Sequence, residues 1–315
     1  MRKMRYLAPW HGDPADLVGN GADPEEVATA YASLAGKPAI YHCVSRVVNR
    51  QFVLGREEKE KFVGLMRLYE HFGQIRVLSF CVMSDHVHLL LEIPAPPEDD
   101  GASWSDEKLL KHISSLYPEP QIAEIRGELE EHRGKKNTEA VELLRRKYLD
   151  RMWDLSSFMK VLKQRFTQWF NGTHGRRGTL WEDRFKHVLV EDGHAAQTMA
   201  AYIDLNPVRA ALVDDPQDYR WSGYGEAVAG NKTARQGLGR LMADKLPEAG
   251  NGSPSWREVV RRYREVLFAG DEPAKGHRGP SRKNAARVLA EGGELSEGDL
   301  VRCRARHLSD GLVFG

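Results

Sequence analysis

Two apolar, β-like runs, Ile75 to Val82 and His86 to Ile93, are separated by only Met83-Ser84-Asp85. So short a connection joins antiparallel neighbours, because parallel strands need a crossover of about a dozen residues or more. An antiparallel hairpin is therefore the fixed point of the fold. Upstream, Ala39 to Val48 is β-branched and aromatic enough to be a strand. Glu57 to Phe72 carries apolar residues close to a helical stripe, which Gly73 should end. Downstream, Met152 to Asn171 predicts an amphipathic helix, Thr179 to Glu191 a strand, and Gly193 to Leu205 a helix stopped by Pro207. The order β-α-β-β-(insert)-α-β-α predicts an α+β fold, an antiparallel sheet with helices on one face.

The remaining segments set the expected domain organisation. Residues 1–37 mix Gly, Pro and Asp and read as an N-terminal extension. The breaker Pro94-Ala-Pro-Pro97 opens a charged, mostly helical insertion over 97–150, followed by the second half of the main domain at 151–228, the first half being 38–96. Residues 229–315 form a C-terminal extension with one good helix, Ser255 to Phe268, and a basic linker at 270–283. With 41% hydrophobic and 29% charged residues the composition is that of a soluble globular protein. No apolar run reaches a membrane span and the start lacks a signal peptide, so a cytoplasmic protein with no membrane partner is expected. Three cysteines (Cys43, Cys81, Cys303) are too few and too scattered for a disulfide framework or a thiolate zinc site. The net charge of +1 identifies no partner, so any electrostatic argument must be local.

Three stretches could carry chemistry. In Asp85-His86-Val87-His88-Leu89-Leu90-Leu91, residues i and i+2 share a strand face, so His86 and His88 point the same way. Two adjacent imidazoles supply two-thirds of a divalent-metal site, although the same pair also suits a half-exposed strand whose histidines sit in solvent. In Tyr202-Ile-Asp-Leu-Asn206-Pro207-Val-Arg209, Tyr202 and Asn206 fall on one helix face. The proline should place Asn206 at the helix end with its amide free to reach outward; a buried tyrosine followed by a helix stop is the plainer alternative. The segment 151–190 has a local net charge of +5, with Trp169, Phe170, Trp181 and Phe185 among its cations. That mixture suits a single-stranded nucleic acid, although Trp169 and Phe170 fit a core equally well. Arg176, Arg177, Arg184 and Lys186 flank the turn and strand between the histidines and the tyrosine, which makes them the expected DNA contacts.

Taken in order, these stretches resemble one family. Tyr41-His42-Cys43-Val44-Ser45-Arg46, Met83-Ser84-Asp85-His86-Val87-His88-Leu89-Leu90, and the block from Asn171-Gly-Thr-His-Gly-Arg-Arg-Gly178 to Phe185 come first. Val190-Glu191-Asp192, Tyr202-Ile-Asp-Leu-Asn-Pro-Val-Arg209 and Trp221-Ser-Gly-Tyr224 follow. The chain is similar to the IS200-type single-tyrosine transposases of the HUH endonuclease superfamily, and within it to the REP-associated tyrosine transposase branch. The resemblance implies a ferredoxin-like antiparallel sheet with the histidines on a central strand. It implies Mg²⁺ or Mn²⁺ held by His86, His88 and Asn206, and Tyr202 as nucleophile. Single-stranded or hairpin DNA would be nicked and rejoined through a 5′-phosphotyrosine. Monomer and homodimer both occur in that group, so the oligomeric state stays open. The insertion and the tail lie outside the family core.

The residue chemistry agrees with that expectation. A phenol with a pKa near 10 is a poor nucleophile at neutral pH and needs a polarised phosphate. An aryl phosphodiester conserves the bond energy for a second strand, and no G-x-x-x-x-G-K-[ST] motif calls for a nucleotide cofactor. A histidine-triad hydrolase would want a third alternating histidine, but position 90 is Leu. A helix-turn-helix regulator would carry its basic residues on one recognition helix, which these do not. The remaining rival is a domesticated, catalytically silent protein that binds DNA hairpins.

Overall fold

The structure, a computed structural model, describes residues 37–246, 255–268, 288–290 and 292–294. The extension expected before residue 37, the basic linker at 270–283 and Cys303 lie outside the described residues. In order, the chain forms β1 (Ala39–Arg46), α1 (Arg56–Phe72), β2 (Arg76–Val82), β3 (His86–Ile93), α2 (Asp106–Ile113), α3 (Glu119–Gly134) and α4 (Thr138–Leu149). Then come α5 (Leu155–Thr173), β4 (Lys186–Val190), α6 (His194–Asp204), α7 (Asn206–Arg209), α8 (Gly223–Ala229), α9 (Lys232–Leu241) and α10 (Trp256–Phe268). The fold is α+β. Its antiparallel sheet has the order β2-β3-β1-β4, and β4 runs against β1 from Ile40 opposite Val190 to Val44 opposite Lys186. Strands connected β-α-β-β-α-β in that order have the ferredoxin-like topology, which leaves β1 and β3 in the middle.

The described chain divides into two compact units. One contains residues 61–76 and 92–178. Within it, Phe62 of α1 meets Phe166 of α5 edge to face at 5.2 Å. Helices α2, α3 and α4 bury Leu109, Leu110, Ile113, Ile122, Ile125, Leu129 and Tyr148 against one another. Arg145 is buried beneath them, bonded to Asp106 and to the carbonyls of Ala102 and Trp104. Removing such a cation's partner is costly, so Asp106 holds the insertion together.

The other unit contains residues 40–60 and 77–91 and the described chain after 179. Ile40, Leu78, Cys81 and Leu90 of the sheet share one apolar core with Ala200 and Ile203 of α6, Ala227 of α8, Leu238 of α9 and Val259, Tyr263 and Leu267 of α10. Two helices beyond residue 229 thus complete the core under the sheet. Among the described residues no helix is long and apolar enough to cross a membrane.

Three local expectations need correction. The left-handed residue that ends α1 is Gln74, with φ 52°, and not Gly73. Gly73 instead lies where a Cβ would come 3.0 Å from the Tyr69 carbonyl oxygen. The strand expected over Thr179 to Glu191 is only Lys186–Val190, preceded by a lone bridge between Trp181 and Val47. Between them Asp183 accepts from the Arg184 backbone N–H at 2.6 Å, a local turn that competes with pairing to β1. The helix expected over Gly193 to Leu205 is α6, ending at Asp204, but Pro207 does not close the segment: it sits in the first turn of the short α7 that follows.

Candidate active site

β3 carries His86 half-buried and His88 buried, on one face because side chains alternate along a strand. Their rings lie 4.9 Å apart at 83°. Each imidazole is held through the same nitrogen. His86 Nδ1 is 2.6 Å from Asp85 Oδ1, and since a carboxylate only accepts, Nδ1 carries a proton and Nε2 is the nitrogen turned away from this bond. His88 Nδ1 is 2.9 Å from Nε2 of His42, which comes from the neighbouring strand β1. The His42 and His88 rings are nearly parallel, 9° apart with centroids at 5.2 Å. Burial pushes the pKa of His42 down to about 4. It pushes that of His88 to about 3, with a smaller push from His86, His42, Arg46 and Arg209. Both are neutral at physiological pH, the form in which imidazole binds metals.

Tyr202 stands at the C-terminal end of α6 and is 43% exposed, open enough to meet a polymer. Its ring packs edge-on against His88 at 5.9 Å and His42 at 6.3 Å. Arg209 lies 4.7 Å over the same ring. Asn206 differs from expectation. It is helical, and its Nδ2 donates to the carbonyls of Tyr202 at 3.0 Å and Ile203 at 3.2 Å. The Ile203 carbonyl is the one Pro207 leaves without an N–H, so the amide fills the gap in the ladder. Asn206 keeps Oδ1, the atom a cation would need.

The donor types suit a hard divalent ion: two imidazoles whose Nδ1 atoms are engaged and an amide oxygen on the helix that follows Tyr202. Among the described residues no group of three or more His, Cys, Asp or Glu side chains is placed to hold a metal. The fit therefore depends on the asparagine, since His42 is turned to His88.

The basic residues separate. Arg176 and Arg177 sit in the glycine-rich turn after α5, closed by the Arg176 N–H donating to the Asn171 carbonyl at 2.9 Å and Asn171 Nδ2 donating to the Gly178 carbonyl at 2.9 Å. Arg177 is exposed and Arg176 half-buried, 6.0 Å from the Phe170 ring. Arg184 and Lys186 are exposed at the start of β4, in the unit that holds Tyr202. Phe170 and Trp181 are core residues, while Trp169 and Phe185 are half-buried.

Trp221-Ser222-Gly223-Tyr224 is a packing device. Ser222 caps α8 by accepting from the Gly225 N–H at 3.0 Å, and bridges to Cys81 of β2. A Cβ on Gly223 would come 3.0 Å from the Phe80 nitrogen, so only glycine lets α8 approach β2 this closely. Asp204, buried after Tyr202, accepts from Ser79 Oγ at 3.1 Å, the Tyr224 N–H at 3.1 Å and Tyr263 Oη at 2.6 Å. His42, Arg209 and Asp204 were not singled out by the sequence motifs. A histidine inside the apolar strand Ile40-Tyr-His-Cys-Val44 was the available signal, since a buried polar group must find a partner.

Residues 37–98 match the family model described as Transposase IS200 like. This segment is similar to the IS200-like transposases. It spans β1 to β3, with His42, His86 and His88, and ends well before Tyr202. A solved structure described as the "REP associates tyrosine transposase bound to a REP hairpin" is 14% identical, aligns over 61% of this chain and 80% of that one, and has a TM-score of 0.38. No curated protein matches the chain.

Proposed function

We propose that the chain is a transposase-type strand transferase that nicks and rejoins single-stranded or hairpin DNA, working in the cytoplasm through a phosphotyrosine. The observation that carries this reading is the exposed Tyr202 ring packed 5.9 Å from the His88 ring, beside His86. A phenol, two imidazoles and an amide oxygen suit phosphodiester transfer. They suit acyl or hydride chemistry poorly.

Tyr202 Oη attacks the scissile phosphorus, forming the Oη–P bond as the P–O3′ bond breaks. The phenol proton passes to solvent and the departing 3′-oxygen takes one up, leaving a 3′-hydroxyl and a 5′-phosphotyrosine. Attack by the 3′-hydroxyl of a second strand reverses these bonds, so no nucleotide cofactor is consumed. Mg²⁺ or Mn²⁺ held by His86 Nε2, His88 Nε2 and Asn206 Oδ1 would polarise the scissile phosphate. Arg209 over the Tyr202 ring holds the phenol in place. Arg176, Arg177, Arg184 and Lys186 supply phosphate contacts along the strand.

The test is to incubate the full chain with single-stranded hairpins from its own gene flanks and Mg²⁺ or Mn²⁺, then run a denaturing gel. A protein–DNA adduct is expected, and its loss in Tyr202→Phe. An adduct that persists in Tyr202→Phe would remove the nucleophile assignment. Hairpin binding without any adduct from the unaltered protein would favour the silent binding protein.

A further inference from the structure

We propose that His42 is a positioning residue that fixes the tautomer and ring orientation of His88. The proposal extends the metal-dependent reading above.

His42 Nε2 and His88 Nδ1 are 2.9 Å apart and buried, so a single proton lies between them. Two arrangements are available. If His42 donates, the neutral His88 carries its own proton on Nε2 and has no lone pair there for a cation. If His88 Nδ1 donates, Nε2 of the neutral His88 is bare, and it is the same nitrogen that His86 has available once Asp85 accepts from its Nδ1. Only the second arrangement gives both histidines of β3 matching free nitrogens. It requires His42 to act as acceptor, the part Asp85 plays for His86. Metal-ligating histidines generally rely on such a partner, and losing it costs about 10–100-fold in metal affinity.

The surroundings support an orienting task. His42 is 8% exposed and packed against the His88 and Tyr202 rings, so its ring has little room to turn away. It lies nearly parallel to His88 and 6.3 Å from Tyr202, filling space that would let the His88 ring swing. It is a neutral acceptor where a carboxylate would draw the imidazole toward imidazolium. His42 thereby supports His88 without adding a negative charge beside a DNA phosphate.

Three variants of the full chain separate this role from simple packing: His42→Gln, whose Oε1 can accept from Nδ1–H, and His42→Leu and His42→Ala, which cannot accept. Two readouts are taken. The first is the His88 tautomer without metal, from ¹⁵N–¹H multiple-bond NMR spectra of histidine-labelled protein, with the His88 signals assigned by His88→Ala. The second is Mn²⁺ affinity from the electron paramagnetic resonance signal of the free ion. The expected result is an Nδ1–H tautomer in the unaltered protein and in His42→Gln, and a mixed or Nε2–H tautomer in His42→Leu. Mn²⁺ binding should weaken about tenfold or more in His42→Leu and His42→Ala and recover in His42→Gln.

An Nε2–H tautomer in the unaltered protein, or an Nδ1–H tautomer unchanged in His42→Leu, would overturn the proposal. If His42→Leu or His42→Ala unfolds, His42→Gln with an Nε2–H tautomer overturns it and with an Nδ1–H tautomer supports it. Because the tautomer is read without metal, a protein that keeps the predicted tautomers but binds no Mn²⁺ refutes the metal reading and leaves the role of His42 standing.

Discussion

The Arg209 guanidinium lies 4.7 Å over the Tyr202 ring while its Nη1 donates to the Tyr202 backbone carbonyl at 2.9 Å. One side chain thus grips Tyr202 by its ring and by its backbone. A cation over an aromatic face contributes about 0.5–2 kcal/mol. Arg209→Ala should therefore slow single-turnover cleavage by about 2- to 30-fold, with Arg209→Lys in between. Equal rates for all three proteins in a quenched-flow assay would show that the guanidinium serves only packing.

Asp204 gives the folding stability a distinctive dependence on pH. Burial raises its pKa to about 7, against the pull of Tyr263, the Tyr224 N–H and Ser79. The unfolded chain releases this proton near pH 4, so between about pH 4 and 7 the folded state binds the extra proton. The contribution of this group falls as pH rises through that window, by up to about 1.4 kcal/mol per unit, and stays low above it. Urea denaturation at pH 5 and pH 8 should show Asp204→Asn gaining on the unaltered protein at the higher pH. Parallel pH profiles for the two would mean that the carboxyl ionises freely.

Gly225 makes the tightest backbone approach on α8. A Cβ there would come 2.1 Å from the Tyr219 carbonyl oxygen, while Gly172 on α5 has nothing within 4 Å of its Cβ position. Gly225→Ala should lose about 3 kcal/mol, at the upper end of overpacking costs. Gly172→Ala should gain up to about 1 kcal/mol from helix propensity. Chemical denaturation distinguishes them, and a Gly225→Ala protein as stable as its parent would contradict the described entry into α8.

Counterion release predicts how the basic turn behaves. Each phosphate of single-stranded DNA that a protein cation no longer neutralises makes the salt slope of binding shallower by about 0.7. A joint Arg176→Ala, Arg177→Ala variant should bind more weakly, with a slope shallower by about 1–1.5. Lys135 is already paired with Glu131 at 2.5 Å, so neutralising Lys135 and Lys136 should change little. Titrations at several salt concentrations decide this. A larger effect from the Lys135/Lys136 pair would move the DNA path to the insertion.

The hairpin, the paired histidines of β3 and the α+β order were legible because they are local: a short gap, a period of two, a run of turn residues. What escaped was set by partners distant in sequence. Nothing in the spacing of β1 says that His42 meets His88, because cross-strand register depends on the whole sheet. The stretch from Thr179 reads as the start of a strand, but the Asp183 carboxylate takes the neighbouring N–H first. Asn206 read as a helix stop, because the rule for residues before proline treats the backbone alone. Here the asparagine side chain replaces the N–H that proline lacks.

The bond from Tyr263 to Asp204 has a consequence for how the protein matures during synthesis. Tyr202 and the histidines leave the ribosome well before α10, whose Tyr263 supplies one of the donors to the carboxyl two residues after Tyr202. A nascent chain that ends before α10 leaves Asp204 short of that donor and leaves Leu78 and Ile203 without the apolar cover of Val259 and Leu267. The helix that carries Tyr202 gains its full set of contacts only once translation has passed α10. A polypeptide cut short there would carry Tyr202 beside His42 and His88 on a helix that has lost part of its footing.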